Sequence, residues 1–419
     1  MPFVAVLWDS SVITAILLRN YHDITETSIH EKAMRKIKIL SIIGTRPEVI
    51  KMAPVIREIR NRGAVFESTV VVTGQHREMS QPYLDLFGIQ ADADLAIMQK
   101  NQTLDSIFVN ILSALPALLN KIEPDILLVQ GDTSSAFAAA LAAYHGKIMV
   151  GHVEAGLRTG NKYNPFPEEI NRHLIGVVAD LHFAPTTGAK ENLLREGVPD
   201  ERIFVTGNTV IDALKMVVRD QYVFTDDVLS GIDFDKRRVI CVTTHRRESF
   251  GEPLKNTLRA LKEIAAKYPD VEIVLPVHYN PNVREHVYKM LQGAERIHLM
   301  EPLSYEPFVQ LLNKSYLILT DSGGVQEEAP GLGKPVLVLR ETTERPEGLA
   351  AGTARLVGTD VARVVSATAE LLEDEASYRK MSRAVNPYGD GKAAARITDV
   401  IERSLSAAEI RPGVRRLGA

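Results

Sequence analysis

The sequence has a single cysteine, Cys241, in 419 residues. That excludes an internal disulfide framework, and no Cys/His spacing resembles a zinc site, so no bound metal is expected. An excess of either charge is also missing: 49 Lys and Arg against 53 Asp and Glu give a net charge of -4. No global field therefore recruits nucleic acid or an anionic membrane, and any anionic ligand must be held by local donors. Long apolar runs are lacking too. MPFVAVLWDSSVITAILLRN is interrupted by Asp9 and preceded by no basic residue, well short of the roughly 20 residues that span a bilayer. GLGKPV lacks the Ser/Thr and the upstream glycine of a P-loop, and no strand is followed by GxGxxG, so ATP hydrolysis and a nicotinamide cofactor are unsupported. No cofactor and a reducing cytoplasm are the expectation.

What is present is the composition of a globular protein, 45% hydrophobic and 24% charged, with length for roughly two or three domains of about 150 residues. A regular pattern begins at Lys36, so residues 1–34 are read as an extension outside the fold. From Ile37, short β-branched runs alternate with helical stretches, the signature of βαβ units on a parallel sheet. The first half supplies IKILSII, STVVVT, DILLVQ, KIMVGHV, LHFAP and RIFVT. The second supplies RRVICVTT, VEIVLPV, RIHLM, YLILT, KPVLVL and ARLV. The fold class is α/β, with two doubly wound Rossmann-like lobes at 35–206 and 207–385. A helix at 386–408 crosses back to the first lobe, and a tail covers 409–419. Ligands of such sheets bind beyond the carboxyl ends of the strands, here in the cleft between lobes.

The motifs fall at those strand ends. In IIGTRPEVIKMAP, Gly44 permits a tight turn, Pro47 suits the first helical turn, and Arg46 and Lys51 add two cations to exposed amides, an anion site. TDSGGVQEEAPGLG carries Ser322, Gly323 and Gly324 in a glycine-rich turn into a helix, where backbone N–H groups can surround a diphosphate. Glu328 follows one turn later, placed to accept from a ribose diol, and Arg345 lies in the loop after the next strand. Asp132 follows an apolar strand in VQGDTSS, where Asp132 or Thr133 can cap the next helix. His245 with two arginines follows the first strand of the second half, and His278 holds a similar place. VEAGLRTGNKYNPFPEEINRHL concentrates Glu154, Glu168 and Arg172, the last two spaced i,i+4 as a pair that would hold Glu168 ionised.

Read together, GTRPEVIKMAP, QGDTSSAFAAA, GHVEAGLRTGN, NPFPEEINRHL, THRRESFG and TDSGGVQEEAPGLGKPVLVLRETTERPEG resemble the non-hydrolysing UDP-N-acetylglucosamine 2-epimerases across residues 37–402. The resemblance implies a GT-B architecture, a homodimer, a UDP-sugar substrate, and isomerase activity interconverting UDP-GlcNAc and UDP-ManNAc for surface polysaccharide synthesis. It implies catalytic roles for Asp132, Glu154, Glu168 and His245. Substrate contacts are implied for Arg46, Lys51, Arg172, Ser322, Gly323, Gly324, Glu328 and Arg345. Leu303 and Phe308 fall where the family holds uracil, Leu303 by its main chain. Thr73 to Met79 matches a segment that in some bacterial members binds a second, activating UDP-GlcNAc, with Glu78 in place of a glutamine.

Inverting C2 without redox chemistry requires loss of its proton, and a carbon beside an acetal is a poor acid. Elimination of UDP from C1 while the C2 proton leaves makes C2 planar in a 2-acetamidoglucal; re-addition after protonation on the other face gives the epimer. Cations and amide dipoles assist diphosphate departure, and carboxylates move the proton. Three rivals remain: a GT-B glycosyltransferase, a hydrolysing epimerase, and a non-catalytic nucleotide-sugar sensor. A related UDP-diacetamido uronic acid sugar is an alternative substrate.

Overall fold

The computed structural model describes residues 35–74, 77–98 and 102–406. The expected N-terminal extension, the tail, and Gln75, His76 and the side chain of Glu78 in the activator-like segment lie outside the described residues. Seven strands form the first sheet: β1 (Ile37–Ile43), β2 (Phe66–Val72), β3 (Ala93–Asp94), β4 (Ile126–Gln130), β5 (Met149–Val153), β6 (Leu181–Ala184) and β7 (Ile203–Val205). Six form the second: β8 (Arg238–Thr243), β9 (Val271–Pro276), β10 (Ile297–Met300), β11 (Leu317–Thr320), β12 (Val336–Val338) and β13 (Ala354–Leu356). Their orders are β3-β2-β1-β4-β5-β6-β7 and β10-β9-β8-β11-β12-β13, and neighbouring strands run parallel, as β1 with β4 and β8 with β11. The sequence did not signal β3, a two-residue edge strand without a β-branched side chain.

Each strand order reverses at a pair of central strands, between β1 and β4 in one lobe and between β8 and β11 in the other. Connections leave such a pair toward opposite faces and open a crevice at its carboxyl end. The turns carrying Gly44, Asp132, His245 and Ser322 follow those four strands.

Alternation within the strands builds a core on both faces. In β1, Ile39 and Ile43 join one buried cluster, whereas Leu40 and Ile42 join another. In β8, Ile240 and Val242 face one way and Val239 and Cys241 the other. Full burial of an Ile or Leu side chain is worth roughly 1.5–3 kcal/mol, so these double-sided strands anchor their lobes.

Helix α1 (Arg46–Asn61) begins with a capping box in which Thr45 and Glu48 satisfy each other's backbone amides. Gly44 before it is dictated by close approach: a Cβ there would lie 2.8 Å from Ser135 Cβ. Helix α2 (Arg77–Leu86) follows β2. Helix α3 (Leu104–Ile122) is 19 residues and apolar enough by length and composition to cross a bilayer. It instead lies along the first sheet, burying Ile107, Ile111, Leu115 and Leu119 in a cluster with Leu127 and Val129. Helix α4 (Ser134–His145), rich in alanine, allows close packing between α3 and α5 (Glu168–Val178).

The chain passes between lobes at Gly207 and again near Gly389, whose backbones touch: a Cβ on Gly207 would lie 3.4 Å from Gly389 Cα. Between these crossings, α6 (Thr209–Val217) contacts α1 of the first lobe and α8 (Gly323–Gly331) of the second, while α7 (Tyr305–Lys314) approaches from the second. The last helix, α9 (Ala393–Ser406), places Ala394, Ile397, Val400 and Ile401 in the first lobe's core with Met52 and Ile56.

Candidate active site

From the first lobe, Glu154 enters immediately after β5 with φ of 65°. This left-handed conformation is uncommon for a residue with a side chain and costs on the order of 1 kcal/mol, a strain that persists only where surrounding contacts fix it. The contacts are present. Lys51 Nζ donates to both Glu154 oxygens at 2.5 and 2.7 Å, Gln130 Nε2 donates to one of them, and Asn208 Nδ2 donates to Oε1 at 3.1 Å. Burial would depress the Lys51 ammonium, but Glu154 and Glu327 outweigh it and hold its pKa above the ordinary value.

Asp132, after β4, is left free by its neighbour, because Thr133 Oγ1 is the cap that accepts from Ala136 N at 3.0 Å. Arg172 Nη2 lies 2.8 Å from Asp132 Oδ2. Burial pushes Asp132 up to about 6, Arg172 opposes that shift, and the charges of Glu154 and Glu168 add to it. The side chain keeps 27% exposure, so a proton can reach it.

The expected Glu168–Arg172 pair is not formed. Arg172 turns to Asp132 and, at 3.5 Å, to Glu169 one residue along. Glu169, almost fully buried, caps the preceding loop by accepting from Thr159 N and Gly160 N, both at 3.0 Å. Glu168 is therefore unclaimed by Arg172 and half-buried near Asp132.

From the second lobe, α8 begins at Ser322, whose side chain caps nothing. A Cβ on Gly323 would lie 3.4 Å from Arg246 Nη2 and 3.9 Å from Arg345 Cζ, so two guanidinium groups flank the amides of this helix start. Ser322 N donates to Thr320 Oγ1 at 2.9 Å, and the glycine N–H groups that follow it, the helix dipole and two cations form an anion site. Asp321 fixes the adjoining loop: its carboxylate accepts from His245 N at 2.9 Å and Arg246 N at 3.0 Å, and lies 3.1 Å from His245 Nδ1. Burial would raise Asp321, but the bonds and charge of His245 bring it below the usual range. His278 stacks on His245 with ring centroids 5.7 Å apart.

Arg345 donates to Glu327, the neighbour of Glu328. Glu328 itself is buried, and desolvation together with Glu327 raises it to about 8 against the pull of Lys51. Leu303 and Phe308 pack at the edge of the second lobe's apolar cluster with Met300, Leu311 and Val325. Arg46 is exposed and lies over Tyr83, its guanidinium carbon 5.7 Å from the ring centroid. Tyr83 in turn meets Tyr305 of α7 at 6.3 Å across the lobes. A separate cavity of about 570 Å³ lies within the first lobe beside Gly44, Gly74, Leu84 and Asp94, and none of the charged cluster lines it.

The six ordered motifs thus converge on one interlobe cluster. The family model described as UDP-N-acetylglucosamine 2-epimerase matches residues 57–402. The chain belongs to this family. It is 53% identical to the UDP-N-acetylglucosamine 2-epimerase of Bacillus subtilis over 366 residues, covering 87% of this chain and 95% of that one. Against the Escherichia coli UDP-N-acetylglucosamine 2-epimerase the identity is 52% over 375 residues, 88% and 99% of the two chains. The crystal structure of UDP-GlcNAc 2-epimerase from Neisseria meningitidis bound to UDP-GlcNAc superposes with a TM-score of 0.79 at 49% identity, covering 88% of this chain and all of that one. The two-lobed GT-B architecture is that of these 2-epimerases.

In this 2-epimerase, sequence reasoning missed Gln130, Asn208, Glu327, Asp321 and Glu48. Glu48 is buried, accepts from Gly44 N at 2.5 Å and from Thr133 Oγ1 at 2.6 Å, and is raised by desolvation to about 6. It links the turn after β1 to the turn after β4. The capping-box spacing of Thr45 and Glu48 was the available signal; the bond to Thr133 had none. Glu327 was masked by its neighbour, since a Glu-Glu pair does not reveal which member faces the cleft.

Proposed function

We propose that this enzyme interconverts UDP-N-acetylglucosamine and UDP-N-acetylmannosamine by elimination and re-addition of UDP. The observation that carries this reading is the meeting of a cationic helix start at Ser322–Gly324, Arg246 and Arg345 with the first lobe's acids Asp132, Glu154 and Glu168. The C2 proton passes to a carboxylate of the first lobe as the C1–O bond breaks, its electron pair leaving with the β-phosphate of UDP and the C2–H pair forming the C1=C2 bond. Returning a proton to the other face of C2 and the diphosphate oxygen to C1 completes the epimerisation. Asp132, near 6, is suited to proton exchange around neutral pH, while Arg345, His245, Lys51 and the turn amides neutralise the leaving diphosphate. No metal is required by this route, and the lone buried Cys241 suits a reducing cytoplasm.

Turnover of UDP-GlcNAc in D2O without an acceptor tests it. Deuterium at C2 of both epimers, followed by mass spectrometry and NMR, is expected; epimers with C2–H intact would overturn the reading. Stoichiometric UDP release would instead identify a hydrolysing enzyme.

Glu328 supplies a pH prediction. Its pKa near 8 keeps it largely protonated at pH 7, and a ribose diol donating to it favours the ionised form. UDP binding at pH 7 should therefore release up to one proton, measured by calorimetry in buffers of different ionisation enthalpy, and Glu328→Gln should abolish that release. Without ligand, a carboxyl raised in the folded state loses stability as pH climbs from its ordinary 4.5 to about 8. The melting temperature of Glu328→Gln should gain on the parent over that interval.

The homodimer is also proposed. Val109 of α3, Tyr144 of α4 and Leu174 and Val177 of α5 leave apolar side chains exposed on three adjacent helices, Val177 at 81%. A second copy of the chain covering these helices would take those side chains out of water. Val177→Asp with Val109→Asp is expected to shift the mass in solution, by light scattering, from two chains to one.

A further inference from the structure

We propose that Asn208 is a positioning residue that couples the hinge to the acid–base machinery, its carboxamide tying Glu154 of the first lobe to Glu327 of the second. The proposal rests on the epimerase reading above and deepens it.

Asn208 stands on the first interlobe crossing and is 2% exposed. Its Nδ2 carries two hydrogens, and both are used: one to Glu154 Oε1 and one to Glu327 Oε2, each at 3.1 Å. Its Oδ1 accepts from Val210 N at 3.0 Å and caps α6. Its backbone N–H donates to Tyr388 O, on the second crossing, at 2.7 Å. Tyr388 in turn accepts from Gly348 N at 3.0 Å and approaches Arg345 O at 3.4 Å. The residue is thus held to both crossings, its backbone by the second, and its side chain spans both lobes.

The result is a symmetric chain across the cleft, Lys51–Glu154–Asn208–Glu327–Arg345, with a cation at each end and a neutral carboxamide between two carboxylates. Both cations are the ones a diphosphate would attract. When Lys51 and Arg345 turn toward that ligand, Glu154 and Glu327 are left as buried carboxylates, and Asn208 is the donor common to both. An unpaired buried carboxylate is costly. Retaining the bridge lets the cations move to the ligand without the carboxylates swinging after them. Lobe opening would break one of the two bonds, so the two carboxylates share the Asn208 donor only in the closed form.

An aspartate here would set a third carboxylate between two others. Facing it are Lys51 from α1, Glu154 after β5, Glu327 and Glu328 from α8, Arg345 and Tyr388; Asp212 on its own helix is engaged by Ala393 N and Ala394 N. One of the three carboxylates must then hold a proton to restore a donor.

The test compares Asn208→Asp and Asn208→Ser with the parent enzyme in C2 deuterium exchange over pH 6–9, with UDP affinity by calorimetry and melting temperature alongside. Serine keeps an oxygen for the cap to Val210 but cannot span the two carboxylates. Asn208→Asp should lose kcat at least 100-fold at pH 8 and recover about tenfold toward pH 6, with the UDP dissociation constant within about fivefold of the parent. Asn208→Ser should lose kcat at least 30-fold without that recovery, and stands alone if the aspartate variant does not fold. Parent-like kcat in Asn208→Ser, or a pH profile for Asn208→Asp parallel to the parent's, would overturn the bridge. Absence of C2 exchange in the parent itself would overturn the epimerase reading, and is read before either variant.

Discussion

Asp132→Asn is expected to slow C2 hydrogen exchange by two to four orders of magnitude, the range typical for loss of a positioned acid or base. The substitution keeps size and the approach of Arg172 while removing the site where a proton is held or released. Its neighbours explain why this carboxylate should matter most. Burial and the charges of Glu154 and Glu168 raise it to about 6, while Arg172 at 2.8 Å keeps it oriented. The acid limb of kcat/KM in the parent should therefore fall near that value, and it should disappear in the variant. UDP affinity should stay within a few-fold, because Asp132 is not among the groups that hold the diphosphate. Glu168→Gln is expected to lose activity likewise, since Arg172 does not neutralise it and it faces Asp132. Turnover at parental rate in both variants would remove them from the chemistry.

Arg345→Met should act on binding and stability together. Arg345 pairs with Glu327, which is almost fully buried, and removing one member of a buried pair typically costs about 3–5 kcal/mol because the remaining charge is uncompensated. A clear fall in melting temperature and at least a 100-fold loss of UDP affinity are expected. Arg345→Met combined with Glu327→Gln separates the two effects. Removing the orphaned charge should restore much of the stability, whereas affinity should stay low because the helix start at Ser322 still lacks one of its two guanidinium groups. Restored affinity in the double variant would show that Arg345 is structural only. Residues in one ion pair are not expected to behave additively, and the cycle measures that coupling.

Much of the architecture could be read without coordinates. Most of the strands are short apolar runs, many of them β-branched, with buried residues on both faces, which suits parallel strands covered by helices on either side. The edge strand at Ala93 carried no such pattern. At the site, residue types in or just beyond the turns that follow strands singled out Lys51, Asp132, Glu154, Ser322, Glu328 and Arg345 as candidates, because that is where a parallel sheet presents its ligand-binding groups. Pairing was less legible. Spacing suggested Glu168 with Arg172, but an i,i+4 interval states only that two side chains share a helix face. Asp132, arriving from another strand, offered Arg172 a closer partner.

The sequence by itself determined the two-lobed fold, the family and the strand ends where the candidate groups gather, because periodicity and turn residues are local properties of the chain. Only the tertiary structure decided who meets whom. Asn208 lies 119 positions before Glu327 and 54 after Glu154, and no local rule links such distances. The physical reason is that a cluster of buried charges is arranged by the packing of both lobes at once: each carboxylate settles against whichever cation or amide the fold brings within reach.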